Sequence, residues 1–161
     1  MKGPEPIADE LRAILREHMD AKLDELAAEY DDDVEVPYIA TESFYLESPE
    51  GGGFSYPLVV IGEAAFVPAG ASPEFLEATY QFAVDVWDTT TADGMEAMHR
   101  RLWRYSRAVV EVLRAHTRGS SHWTALTLEN RRPSPILTTE DEREYYRAKG
   151  ALVGVLVGED Y

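Results

Sequence analysis

No cysteine occurs among the 161 residues, which excludes disulfides, thiolate zinc sites and cysteine nucleophiles. Lysine is almost as scarce: Lys2, Lys22 and Lys149 stand against twelve arginines and thirty acids, for a formal charge of −15. No stretch of about 18 apolar residues occurs, so no segment reads as a membrane span. The opening residues, MKGPEPIADEL, lack an apolar signal-peptide core, and the expectation is a protein made and assembled inside a cell. Phosphate-cradling and dinucleotide-binding loops are missing too. The run Gly51, Gly52, Gly53 is followed by no lysine and matches neither spacing.

Catalytic constellations are equally absent. His18, His99, His116 and His122 form no H-E-x-x-H pair, and no serine stands in a G-x-S-x-G elbow. Ser120, Ser121 and His122 are neighbours in sequence, which is not the geometry of a triad. Carboxylates are paired only because acids abound, so Glu63 or Asp85 has no special claim as a general acid. The run EYDDDVEV from Glu29 is acidic enough to attract a cation, but it lacks the spacing and glycine of a calcium loop, and a solvated acidic turn is the simpler account. The chain is therefore expected to be no enzyme and to hold no cofactor or metal.

What is present is acid, unevenly placed. Residues 1–98 carry 4 basic and 22 acidic side chains, a net of −18, whereas residues 99–161 carry 11 and 8, a net of +3. A carboxylate-rich, lysine-poor surface stays hydrated in high salt, where self-repulsion is screened. Adaptation to a saline host and a functional acidic surface both fit. An acidic face repels nucleic acid, because phosphate binding needs cations. The asymmetry points to unlike faces that meet between identical subunits; a solvated Arg-rich helix is the blander alternative.

Apolar residues at Ile7, Leu11, Ile14, Leu15, Met19, Leu23 and Leu26 recur at helical steps, which predicts a helix from Ile7 to about Tyr30 that frays through Glu25–Asp33. Beyond Pro37 the texture turns aromatic and β-branched. PYIATESFYL, PLVVIGEAAFVP and ATYQFAVDVWD read as three strands, with a flexible glycine loop over 47–56. In the third, Tyr80, Phe82, Val84 and Val86 alternate with Gln81, Ala83, Asp85 and Trp87. One face is core, and the wetter face makes Asp85 and Trp87 interface candidates. A long helix follows, capped by Thr89, Thr90 or Thr91, with Asp93 and Glu96 in its first turn and Gly119 at its C-cap. Roughly 25 residues at about 1.5 Å rise make it near 38 Å long. Met95, Met98, Leu102, Tyr105, Val109, Val112 and Leu113 form its apolar stripe. Arg100, Arg101, Arg104 and Arg107 lie mostly off that stripe and are candidates for a subunit interface. Two strands close the chain, WTALTLENRRP and Tyr145–Val157, with Gly150 and Gly154 placed for bends or bulges. The order α-β-β-β-α-β-β, with consecutive strands, predicts one α+β domain over 1–161, a mostly antiparallel sheet packed by an N-terminal helix and one long central helix.

This order resembles the tail terminator (tail completion) proteins of long-tailed bacterial or archaeal viruses. The resemblance is carried by TYQFAVDVWDTTTADGMEAMHRRLWRYSRAVVEVLRAH, a strand running into a long Thr/Asp-capped helix, and by TTEDEREYYRAKGALVGVLV, an acidic aromatic stretch entering a final apolar strand. It spans Ile7 to Val157. It implies a ring of six copies that caps the tail tube and docks on a neck or connector protein, with DNA passing through the lumen unbound. It also implies a place in the virion at the tail–neck junction, after assembly in the host cytoplasm. Gly51, Gly52 and Gly53 then belong to an arm that orders against a neighbouring ring. Head-completion and connector proteins share a similar build and are the first alternative. A small α+β enzyme, or a nucleic-acid binder using RRLWRYSR, is the more distant one.

Overall fold

Pro4 and Pro6 suit the start of a helix, where no backbone donor is needed. The computed structural model, which describes residues 2–49, 55–68, 78–90, 94–138 and 144–158, runs helix α1 over Glu5–Tyr30. Its buried side is Ile7, Leu11, Leu15, Met19, Leu23 and Leu26. The helix does not fray at its acidic end. It stops at Asp31, which adopts the left-handed conformation (φ 46°) and donates its N–H to the Ala27 carbonyl. The carboxylates there are answered from elsewhere in the fold, as described below.

The stretch from Pro37 departs from the expected strand. Only Phe44–Tyr45 (β1) joins the sheet, after a short 3-10 turn at Thr41–Ser43. The reason lies in its carbonyls. Tyr105 Oη donates to Pro37 O, and Arg16 donates to Thr41 O and Phe44 O. Side chains thus satisfy the backbone groups that a ladder would otherwise pair, while Ile39 and Phe44 anchor the segment in the core.

Strands β2 (Leu58–Pro68) and β3 (Ala78–Thr89) follow, then helix α2 (Gly94–Arg114), β4 (Ala125–Asn130), the two-residue β5 (Leu137–Thr138) and β6 (Tyr145–Val157). Among the described residues the sheet order is β1-β2-β3-β6-β4, with β5 also on β6. All pairings are antiparallel except β1 with β2. The architecture is α+β, with one short strand more than the sequence predicts.

Threonines expected to cap α2 do other work. Thr89 Oγ1 donates to Tyr145 O, and Thr90 Oγ1 accepts from the Tyr145 N–H, so both close the β3–β6 end. Thr91 and Asp93 lie outside the described residues. The described helix spans about 31 Å; it ends at Arg114, five residues before the expected Gly119, which sits in the following turn at φ +96°.

Gly150 and Gly154 also differ from expectation. The β3–β6 register runs unbroken from Ala78–Val157 to Thr89–Tyr146, and among the described residues the register shifts in β2, between Glu63 and Ala65. The glycines instead permit close approach. A Cβ on Gly150 would stand 1.8 Å from Val84 O, and one on Gly154 2.3 Å from Thr127 Oγ1.

Both helices pack on one face of the sheet, over Tyr80, Phe82, Val84, Val86, Val153 and Val155. The opposite face shows Gln81, Ala83, Asp85, Trp87, Leu152, Gly154 and Leu156, all only partly buried. Among the described residues no helix covers it. The two sides of β3 therefore have the alternation that its sequence predicts, buried on one and half-wet on the other.

Candidate functional site

The arginines of α2 fall into different environments. Arg101 and Arg104, read from the sequence as lying off the apolar stripe, are buried. Arg101 Nε donates to Asp88 Oδ2 at 2.6 Å, with both side chains under a tenth exposed, and its Nη2 donates to Thr89 O. Arg104 pairs through both Nη atoms with the Asp32 carboxylate and lies 4.2 Å from the Tyr30 ring centre. Arg107 donates to Glu29 Oε2 at 2.9 Å and to Tyr30 Oη at 3.1 Å. The hydrogen bond from Arg104 holds the Asp32 carboxyl below its ordinary range. Arg100 and Arg114 are exposed, and Arg100 forms an i,i+4 pair with Glu96.

These contacts explain the stable acidic end of α1. Glu29 and Asp32 sit at a helix C-terminus, where the dipole disfavours them, and the guanidinium groups of α2 neutralise them across the helix pair. Asp85 follows the same rule. Arg131 Nη1 lies 2.9–3.0 Å from both its oxygens, reaching across Gly150, which faces Asp85 in the sheet and accepts the Arg131 N–H. Burial still pushes the Asp85 carboxyl up, against the opposing pull of Arg131. Four arginines from the basic part of the chain thus close four carboxylates from the acidic part within one subunit.

The other flank of α2, turned away from α1, is built differently. Trp103, Ser106, Val110 and Arg114 line an open cleft of about 360 Å³ with Asn130 of β4 and Lys149 of β6, and Arg107 and Glu111 border it. Trp103 is 56% exposed, beside His99, whose Nε2 lies 3.0 Å from Arg147 Nη1. Burial lowers the Lys149 ammonium. Arg114 and Lys149 have no ion-pair partner among the described residues. Trp103, Ser106, Val110 and Arg114 recur at steps of three, four and four, so their shared flank is visible in the sequence. Lys149 and Asn130 join them only through the sheet, and no sequence signal marks them.

Trp87 lines a smaller pocket on the uncovered sheet face with Tyr56, Leu58, Val60, Ser48 and Pro49. Gly51, Gly52 and Gly53 lie outside the described residues. The Ser120–His122 neighbourhood is a structural tie. Ser120 Oγ donates to Glu10 Oε2 at 2.7 Å, and His122 Nδ1 meets the same carboxylate oxygen, which fastens the α2–β4 turn to α1. The serine hydrogen is committed to the glutamate, not to the imidazole. No cluster of three or more metal-ligating side chains occurs among the described residues, and no described helix is long and apolar enough to cross a membrane.

No protein-family model and no curated protein sequence matches the chain. Among solved structures, a chain from the virion of a native gene transfer agent particle is similar to this one at a TM-score of 0.45, with 17% identity over 72% of this chain and 80% of that one.

Proposed function

We propose that the protein is a structural subunit of a virion, most specifically the tail terminator, which assembles as a ring of copies on the tail tube and joins it to the neck. The observation that carries this reading is the uncovered sheet face. Among the described residues, a six-stranded sheet with both helices on one side leaves a broad, half-wet surface bearing Trp87, Ala83, Leu152 and Leu156. Such a face fits a flat contact with another protein. Asp85 and Trp87 then belong to subunit contacts, Arg100 remains available at the helix surface, and the Gly51–Gly53 loop reaches the adjoining ring.

The acidic net charge suits a passage that DNA crosses without being gripped. A ring also needs unlike flanks on each copy, because head-to-tail contacts close only when two different surfaces meet. Sedimentation of the purified chain in low and high salt, with negative-stain images of any assembly, tests the reading. The expected result is a six-fold annulus of tail width that seats on tail tubes. A monomer at every salt concentration, with no ring on tubes, would refute it. A ring that seats on the capsid portal but not on tubes would instead favour a head-completion or connector protein.

A further inference from the structure

We propose that the cleft between α2 and the β4–β6 edge receives the outer flank of α1 from a second copy of this chain, with Arg114 and Lys149 meeting Asp20 and Asp24 and with Trp103 packing between them. The inference rests on the self-assembly reading above and names the surfaces that make it.

Three observations carry it. First, Arg114 and Lys149 are cations without an ion-pair partner among the described residues, in a chain whose α1-facing arginines are all engaged. Two such cations beside a 56%-exposed tryptophan form a site that has both charge and apolar area to offer. Second, the opposite lateral end of the helix layer carries the complement. Asp20 and Asp24 lie one turn apart on the exposed side of α1. This side turns toward residues 38–45, where Asp24 accepts the Tyr38 hydroxyl and Arg16 holds the Thr41 carbonyl. The Asp20 carboxyl is pushed up by burial and by Asp24, a repulsion that cations from a neighbour would relieve. Third, Ala21 and Ala28 flank Asp24 on that surface and are exposed, leaving room for an indole ring to lie against the helix. Cleft and acidic flank stand at opposite ends of one layer, the arrangement a head-to-tail contact requires. Negative charge elsewhere on the surface makes a carboxylate-bearing copy the most abundant complementary partner, and repels nucleic acid from the approach.

The test uses two paired reversals in the full chain: Arg114→Glu with Lys149→Glu, and Asp20→Lys with Asp24→Lys. Each variant places like charges on both sides of its own contact, so each is expected to sediment as a monomer while keeping wild-type circular dichroism. Mixed in equal amounts they present complementary pairs at every contact, so assembly is expected to return. For a variant that misfolds, the neutral pairs Arg114→Gln/Lys149→Gln and Asp20→Asn/Asp24→Asn replace it, with an expected loss of about tenfold in association constant. Folded variants that assemble as the wild type does, or a mixture that stays monomeric, would overturn the cleft–flank contact while leaving the ring reading intact. A wild type that is monomeric at all salt concentrations would sink the ring reading itself. Binding of a short DNA duplex that the Arg114/Lys149 reversal abolishes, with assembly unaffected, would reassign the cleft to nucleic acid.

Discussion

The two flanks of α2 carry the same kinds of residue and use them in opposite ways. On the α1 side, Arg101, Arg104 and Arg107 are consumed by Asp88, Asp32 and Glu29. On the β4 side, Arg114 and Lys149 face an open cleft beside an exposed tryptophan. The first set answers a cost internal to the fold, because carboxylates at the end of α1 and beneath α2 need neutralising before they can be packed. The second set has no ion-pair partner among the described residues. Composition alone treats all these cations as one basic patch; partner geometry divides them into a structural set and an available set.

The largest expected effect tests the structural side. Arg101→Met leaves Asp88 buried without its partner and should cost about 3–5 kcal/mol in urea denaturation. The double change Arg101→Met with Asp88→Leu should recover most of that loss, because the buried charge is gone. A single variant as stable as the wild type would break the distinction at its strongest point.

Arg104→Ala comes next, with about 1 kcal/mol from lost stacking on Tyr30 alone. Its ionic part has a defined pH dependence. Arg104 lowers the Asp32 carboxyl from its ordinary 3.8, so that stabilisation is complete above 3.8 and disappears as pH falls through the lower folded value. The gap between variant and wild-type melting temperatures should therefore narrow in strong acid. A gap that stays constant would remove Asp32 from the account.

Asp85→Asn should behave in the reverse sense. Burial raises the folded value of this carboxyl, so the stability associated with its neutral form is complete below 3.8 and is lost as pH rises through the folded value. Asparagine at this position should gain on the wild type at neutral pH relative to acid, as measured by melting temperature. The smallest expected effect is on the cleft side. Trp103→Ala and Arg114→Gln, at exposed positions, should change stability by no more than about 0.5 kcal/mol while weakening assembly. A large stability loss at either position would place the β4 flank among the structural contacts as well.

Several elements were legible in the sequence because their signal is local. The 3.6-residue recurrence in α1, the alternation from Ala78 to Thr89 and the apolar run into Val157 each follow from one segment burying one side. The strand expected after Pro37 is cut down to Phe44–Tyr45, because carbonyls ahead of it are claimed by Tyr105 and Arg16, side chains 68 and 25 residues away from the carbonyls they bind. Gly150 likewise reads as a bend in sequence and proves to be a lane for close strand packing and for the Arg131–Asp85 pair. The candidate surfaces divide in the same way: Asp85 and Trp87 were placed on the wetter sheet face by alternation, whereas Lys149 and Asn130 join Trp103 only after β6 and β4 pair.

By itself the sequence determined the two helices, the succession of elements along the chain and the uneven spread of charge, since these depend on periodicity and composition along the chain. Only the tertiary structure decided which charges are spent. An ion pair depends on which side chains come within a few ångströms of each other, and that distance is set by packing between segments dozens of residues apart.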